Sequence, residues 1–393
     1  MFTKRLTLFH LFGIAVKIDA SWLLLAVLVT WSLARGAFPF YFPGQTLAAY
    51  WWMAAGGAIG LFASIILHEL GHAIVARHFG IPIRDITLFV FGGVAEMQGE
   101  PPSAKSEFLM AVAGPGTSVG LGLALFALYG GVGAAGAWLS FSVVRYLAWL
   151  NIVLAIFNML PAFPLDGGRV LRAGLWAARG NLKWATHIAS TVGSAFGAVL
   201  IVLGVLAFLT GNTIGGLWWF MIGMFMRAAS RMSYKQLLVR RALEGESLRR
   251  FVQTDPVTVP EDVSVRDLVE DYIYKFHYKF FPVVDDGRLA GCVSTRDVKE
   301  VPRNEWDVHS VRDILRSCAA NTMVRPDEDP VNVLATMNRS GNSRLLVVEN
   351  DRLVGIVTLK DMLRFLSLKL DLEEEDVETT AGISPGRDED TRE

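Results

Sequence analysis

The chain has 393 residues, 52% of them hydrophobic and only 19% charged, with a mean hydropathy of +0.38. A soluble chain of this size carries about 25% charged residues, so the composition excludes a wholly aqueous globule, and a net charge of -1 offers no global attraction for nucleic acid. The charge is also segregated: the sequence is apolar as far as about Met226 and rich in Asp, Glu, Lys and Arg beyond it, which predicts a lipidic part followed by an aqueous one.

In chain order, the N-terminal MFTKRLTLFHLFGIAVKIDA is basic but has no small-residue cleavage site after a short apolar core, so it is expected to be retained. Gly13–Asp19 reads as a strand turning into the first helix. A bilayer core of about 30 Å needs about 20 apolar helical residues. Segments 21–33, 50–78, 108–129, 139–160, 189–209 and 214–227 meet or approach that length, giving about six transmembrane helices. Lys4, Arg5 and Lys17 precede the first span; Arg77, Arg84 and Lys105 follow the second; Arg169, Arg172, Arg179 and Lys183 follow the fourth; and Arg227, Arg231, Lys235, Arg240 and Arg241 follow the sixth. The opposite connections offer only Arg35, so the positive-inside rule places both termini in the cytoplasm of a multi-pass cell-membrane protein.

The second span ends in His68-Glu69-Leu70-Gly71-His72. Histidines at i and i+4 lie on one helix face and can reach one metal ion, while Glu69 points to a flank from which it can serve as a base. Three ionisable side chains at the end of a membrane helix are costly unless they have a role. Zinc held by three protein groups lowers the pKa of a bound water to about 7. A third ligand is available after span four, in Asn158-Met-Leu-Pro161-Ala-Phe-Pro164-Leu-Asp166-Gly167-Gly168-Arg169. The prolines forbid a regular helix there and the glycines allow a sharp turn, so Asp166 is a candidate. Read without any family, the alternative is a juxtamembrane residue beside Arg169, the lesser of the two readings.

Together HELGH and NMLPAFPLDGGR resemble the site-2 protease family of intramembrane zinc metalloproteases, as do Phe91-Gly92-Gly93-Val94-Ala95 and Ala113-Gly114-Pro115; the resemblance covers about residues 1–230. It implies Zn2+ held by His68, His72 and Asp166, with Glu69 as catalytic base. Where the family often has an Asn after its AGP motif this chain has Ser118, which makes Asn158 the preferred oxyanion or substrate-backbone donor. Asn158 as interhelical hydrogen-bonding glue is the competing role. Gly116/Gly120 and Gly193/Gly197 read as close helix packing. Substrates would be single-span membrane proteins, in bacteria anti-sigma or pro-sigma factors. Such a substrate must unwind and meet water, and the strand-like stretch 81–100, with Ile83, Ile86, Leu88 and Val90, could pair with it.

After Arg241 the pattern changes to a duplicated α/β unit with an offset of 64 residues. Phe281–Asp297 aligns with Leu345–Asp361, each copy a strand, a polar turn, a strand and a Ser- or Thr-capped helix with Asp at its third position. Apolar-periodic helices at 263–276 and 331–338 precede them. This unit resembles a tandem pair of CBS domains. The resemblance implies adenine nucleotide binding through Ser294/Asp297 and Thr358/Asp361, and a homodimer through the CBS pair. Cys292 and Cys318 form neither a CxxC site nor a disulfide framework and are expected as reduced thiols.

The fold class is therefore a polytopic α-helical membrane protein with a C-terminal soluble α/β tandem CBS domain. Its expected parts are a protease domain 1–230, a linker 231–250, CBS repeats 251–303 and 304–370, and a disordered acidic tail 371–393. The competing function is a CBS-regulated transporter, or a metal-binding membrane protein without proteolytic activity. Glu69 weighs against transport, which needs no general base.

Overall fold

The computed structural model describes residues 5–89, 92–97, 100–131 and 138–380, which divide into two units, Met1–Leu237 and Leu238–Glu393. The first begins with a hairpin, β1 (Arg5–Leu11) and β2 (Ile14–Asp19), whose turn residues Phe12 and Gly13 both take positive φ. Ile14, Val16 and Ile18 alternate inward along β2. Asp19 ends the strand and caps helix α1 (Ala20–Ser32) by accepting from the Ser21 N–H at 2.9 Å. β2 pairs in parallel with β3 (Ile83–Phe89), which pairs antiparallel with β4 (Gly92–Met97), so the sheet order is β1-β2-β3-β4. Buried Asp85 of β3 is held by Lys17 of β2. Phe91 and Val90 lie outside the described residues.

Helix α2 (Leu47–His78) is capped by Thr46 and is followed by α3 (Ala104–Gly131) and α4 (Trp138–Asn158). A short α5 (Asp166–Arg179), ended by left-handed Gly180, leads to α6 (Leu182–Leu209) and α7 (Thr213–Leu243). Among the described residues four helices are long and apolar enough to cross a membrane, at Ala20–Tyr41, Leu47–His78, Ala104–Gly130 and Leu182–Leu209, with Ser142–Asn158 a shorter apolar helix. The expected six spans thus become four or five apolar helices, because segment 214–227 is the first half of α7, whose second half is basic. Large apolar side chains such as Leu24, Phe40, Trp52 and Leu209 face outward, whereas His68, Ser118, Asn151 and Arg172 are buried. Of the expected close-packing glycines, Gly193 and Gly197 abut α7, where an added Cβ would lie 2.5 Å from Ser230 Oγ and 2.7 Å from the Gly223 carbonyl. Gly116 and Gly120 face open space instead, on the side of α3 away from its neighbours.

The second unit holds a six-stranded sheet. Hairpins β6–β7 (Phe280–Asp285, Arg288–Ser294) and β9–β10 (Arg344–Glu349, Arg352–Thr358) lie side by side through β7 and β10. β5 (Val252–Gln253) pairs with β10, and β8 (Met323–Val324) with β9. Each hairpin feeds a capped helix, α8 (Thr295–Lys299) and α10 (Leu359–Thr380), and α9 (Pro330–Ser340) precedes the second hairpin. Two apolar cores result, one around Val259, Phe281 and Val293, the other around Leu243, Leu345, Val357 and Met362. Glu246, just past α7, takes bonds from Lys369 of α10 and from Arg250, which hold its carboxyl below the usual carboxylate range.

Two expectations are corrected here. Cys292 and Cys318 are joined in a disulfide with Cα atoms 5.3 Å apart, because the backbone of Arg316 bridges to Cys292 and brings the following segment alongside β7. The chain from 371 is helical as far as Thr380, since Glu-rich sequence has high helix propensity and continues α10; 381–393 lie outside the described residues. Residues 231–243 of the expected linker are also helix, the end of α7.

Candidate metal centre

The two histidines of α2 and the first residue of α5 meet. His68 Nε2 and His72 Nε2 each lie 3.1 Å from Asp166 Oδ2, and 3.3 Å from one another. A tetrahedron with bonds of about 2.0–2.2 Å has edges of roughly 3.3–3.6 Å, so these three atoms are spaced as neighbouring ligands. They are the one His/Cys/Asp/Glu cluster of metal-binding geometry among the described residues. Asp166 reaches the histidines because the chain leaves α4 at Asn158, turns through two prolines and restarts a helix at Asp166 itself. Glu69 stands between the histidines in α2, half-buried.

Helix α3 supplies the partners behind both rings. His72 Nδ1 donates to the Met110 carbonyl at 2.6 Å, since a carbonyl only accepts; in the neutral imidazole this leaves Nε2 with the lone pair, on the side that faces Asp166. His68 Nδ1 lies 2.9 Å from Ser118 Oγ. Such partners orient metal-binding imidazoles and set their basicity. Ser118, which departs from the family's asparagine, is therefore a neighbour of His68. Gly114 sits between these contacts: a Cβ there would fall 2.1 Å from His72 Nε2 and 2.7 Å from His68 Nε2, so only glycine leaves the ligand atoms free. The donor set, its spacing and this clearance all fit a zinc ion.

Asn158 closes α4, half-buried, eight residues before Asp166. The fully buried asparagine of that helix is Asn151, which donates to Ser64 Oγ at 2.9 Å and to the Leu147 carbonyl at 2.8 Å while its Oδ1 has no partner. Ser64 is one turn before His68 on α2. The sequence marked Gly114 and Ser118 through the AGP motif, but Met110, Asn151 and the pair Glu107–Arg172 carried no signal, because their roles depend on how helices register.

In the second unit the two (S/T)xxD motifs have different surroundings. Asp297 is buried and fully engaged: it accepts from the Ser294 N–H at 2.8 Å and Ser294 Oγ at 2.6 Å, and from Arg316 Nε at 2.7 Å. Asp361 accepts from Thr358 Oγ1 at 2.6 Å and Gln253 Nε2 at 2.9 Å. It lines, with Thr358, Asp255, Tyr278, Arg344 and Lys360, a cavity of about 480 Å³ that neither Ser294 nor Asp297 reaches.

Comparison with known proteins agrees with this division. The profile of peptidase family M50 matches residues 56–138 and 129–203, and that of the CBS domain matches 248–304 and 311–368. The chain is 36% identical to Rip3 of Mycobacterium tuberculosis over 91% of both chains. It is 31% identical to sll0528 of Synechocystis sp. over 91% of this chain and 94% of that one; both relatives are named as candidate zinc metalloproteases. Zinc metalloprotease MJ0392 of Methanocaldococcus jannaschii is 31% identical over 80% of this chain and 86% of its own.

Proposed function

From its membership of peptidase family M50, as an intramembrane zinc metalloprotease of the site-2 type with two CBS domains, we propose that this chain cleaves single-span membrane proteins in or near their transmembrane segment, under control of an adenine nucleotide bound beside Thr358 and Asp361. The observation that carries the proposal is the convergence of His68, His72 and Asp166 with Glu69 alongside. Zinc held by those three residues would polarise the scissile carbonyl and acidify a water. Glu69 takes the proton of the attacking water and hands it to the leaving amine, a transfer worth about 100- to 10,000-fold in rate. Met110 and Ser118 hold the two imidazoles in place while this happens. Asn158, at the mouth of the turn that carries Asp166, donates from its amide to the developing oxyanion.

The peptide bond must arrive unwound, since a helical carbonyl is bonded to an amide four residues on. β4 ends the sheet among the described residues, and its outer edge offers backbone groups to an extended stretch of substrate. The Lys and Arg distribution supports an orientation with the N-terminus and the CBS repeats in the cytoplasm. The domain limits of this reading are 1–230 for the protease and 251–303 and 304–370 for the two repeats.

Metal analysis of the purified protein beside Glu69→Gln and Asp166→Ala, followed by a cleavage assay on a single-span substrate with and without ATP, tests the reading. Wild-type protein and Glu69→Gln should hold one zinc per chain, Asp166→Ala should lose it, and only wild type should cleave. Cleavage by Glu69→Gln at the wild-type rate would overturn the mechanism, and a rate indifferent to ATP would overturn the control.

A further inference from the structure

A closed circuit of bonds runs behind the ligands. From Asp166 it passes to His72, then through His72 Nδ1 to the Met110 carbonyl of α3. One turn before Met110 stands Glu107, whose side chain is wholly buried and whose Oε1 accepts from Arg172 Nε at 2.5 Å and from the Arg172 terminal nitrogen. Arg172 is six residues beyond Asp166 on α5, so the circuit returns to its start. The guanidinium also lies 5.5 Å over the ring of Phe163, in the turn that delivers Asp166, and the Phe163 carbonyl accepts from Ser230 Oγ of α7 at 2.6 Å.

The Lys and Arg distribution counts Arg172 among the loop charges that orient the protein, yet it is one of the most deeply buried cations of the first unit. Burying an ion pair is a poor way to gain stability, since an apolar pair of the same volume often does better. What an ion pair with two N–H bonds supplies is direction. We propose that Glu107 and Arg172 are positioning residues: their bond fixes the depth and rotation of α5 against α3, and thereby holds Asp166 at ligand distance from His68 and His72. This rests on the three-residue metal centre. The bond lies on the opposite side of the circuit from the ligands, and neither residue belongs to the ligand set His68, His72 and Asp166. It acts by keeping the carboxylate from drifting away when α5, which has no side-chain cap at Leu165, would otherwise shift along its axis.

The test uses the full-length protein in detergent, with two variants. Arg172→Lys keeps the charge opposite Glu107 but offers a single point of attachment. The double variant Glu107→Leu with Arg172→Met removes both charges of the pair; Glu100, whose carboxylate lies 3.7 Å from Arg172, is a third exposed and stays solvated, so no fully buried ion is left unpaired. Zinc affinity is measured by competition with a chelator, and the melting temperature of the metal-free protein in EDTA separately. The proposal expects zinc affinity to fall about 10- to 100-fold in the double variant and to an intermediate degree in Arg172→Lys, with metal-free melting unchanged or raised. Wild-type zinc affinity in the double variant overturns it, as does a metal-free melting temperature that drops in step with affinity, which would mark the pair as a fold-holding contact only. Failure of wild-type protein itself to bind zinc would instead remove the metal centre.

Discussion

Gly114 shows how little room the centre leaves. Both ligand nitrogens lie where the methyl group of an alanine would have to go, and the backbone of α3 is held there by its contact with α2, where Gly71 faces Thr117 and the Ala113 carbonyl. Gly114→Ala is therefore expected to fold, since alanine is the better helix former, and to lose zinc and cleavage together; zinc content measured beside the melting temperature checks this, and full occupancy would contradict it. The two histidines were legible because a spacing of four residues in a helix is geometry already. Asp166 was legible because prolines and glycines announce a break. Met110 was not, and Ser118 was marked only as standing where the family often has Asn, not as the partner of His68, since which side chain of α3 reaches which imidazole depends on the axial register of two helices, and no pattern within either helix encodes it. The pairing of Cys292 with Cys318, 26 residues apart, was hidden for the same reason: a backbone bridge between Cys292 and Arg316 brings them together.

The elements divide into those set by local sequence and those set by their neighbours. β2, α1, α2 and the duplicated hairpins follow from alternation, caps and length, and the sequence placed them within a few residues. The run at 214–227 was apolar enough to suggest a span, yet it belongs to a longer helix whose continuation is basic. Helix α5 is too short to cross a bilayer, at 14 residues or about 21 Å. It brings Asp166 to the end of α2 that bears the histidines. At this scale the proposed pairing of substrate with β4, the last strand of the sheet among the described residues, makes a demand on the substrate: its segment must leave the helical state before it can pair. Replacing residues around the scissile bond of a substrate span with Leu should slow cleavage, and restoring Gly or Pro there should recover it; cleavage indifferent to both would exclude strand pairing.

Across the whole molecule, the duplication legible in the sequence conceals a difference between its copies. Both (S/T)xxD motifs cap a helix, but Asp297 spends its acceptors on Ser294 and Arg316, whereas Asp361 borders an open cavity. One nucleotide per chain is therefore expected rather than two. Asp361→Ala should abolish ATP binding measured by calorimetry, and Asp297→Ala should leave it nearly intact while lowering the melting temperature, because it strips the N3 half of the capping box with Ser294 and the bond to Arg316. Equal loss of binding in both variants would show that the copies act alike. Identical motifs gave no hint of this, for the distinguishing group, Arg316, lies outside both aligned segments, Phe281–Asp297 and Leu345–Asp361.

The first unit turns the usual arrangement of a globule inside out, with tryptophans and leucines outermost and histidine, asparagine and arginine within. Lipid solvates the outer leucines as well as a protein core would, so association there rests on close approach and directed bonds. Mutational tolerance should then run backwards from that of an aqueous enzyme. Trimming an outer Leu209 removes little, while adding a single carbon to Gly197, where two backbones touch, pries α6 and α7 apart.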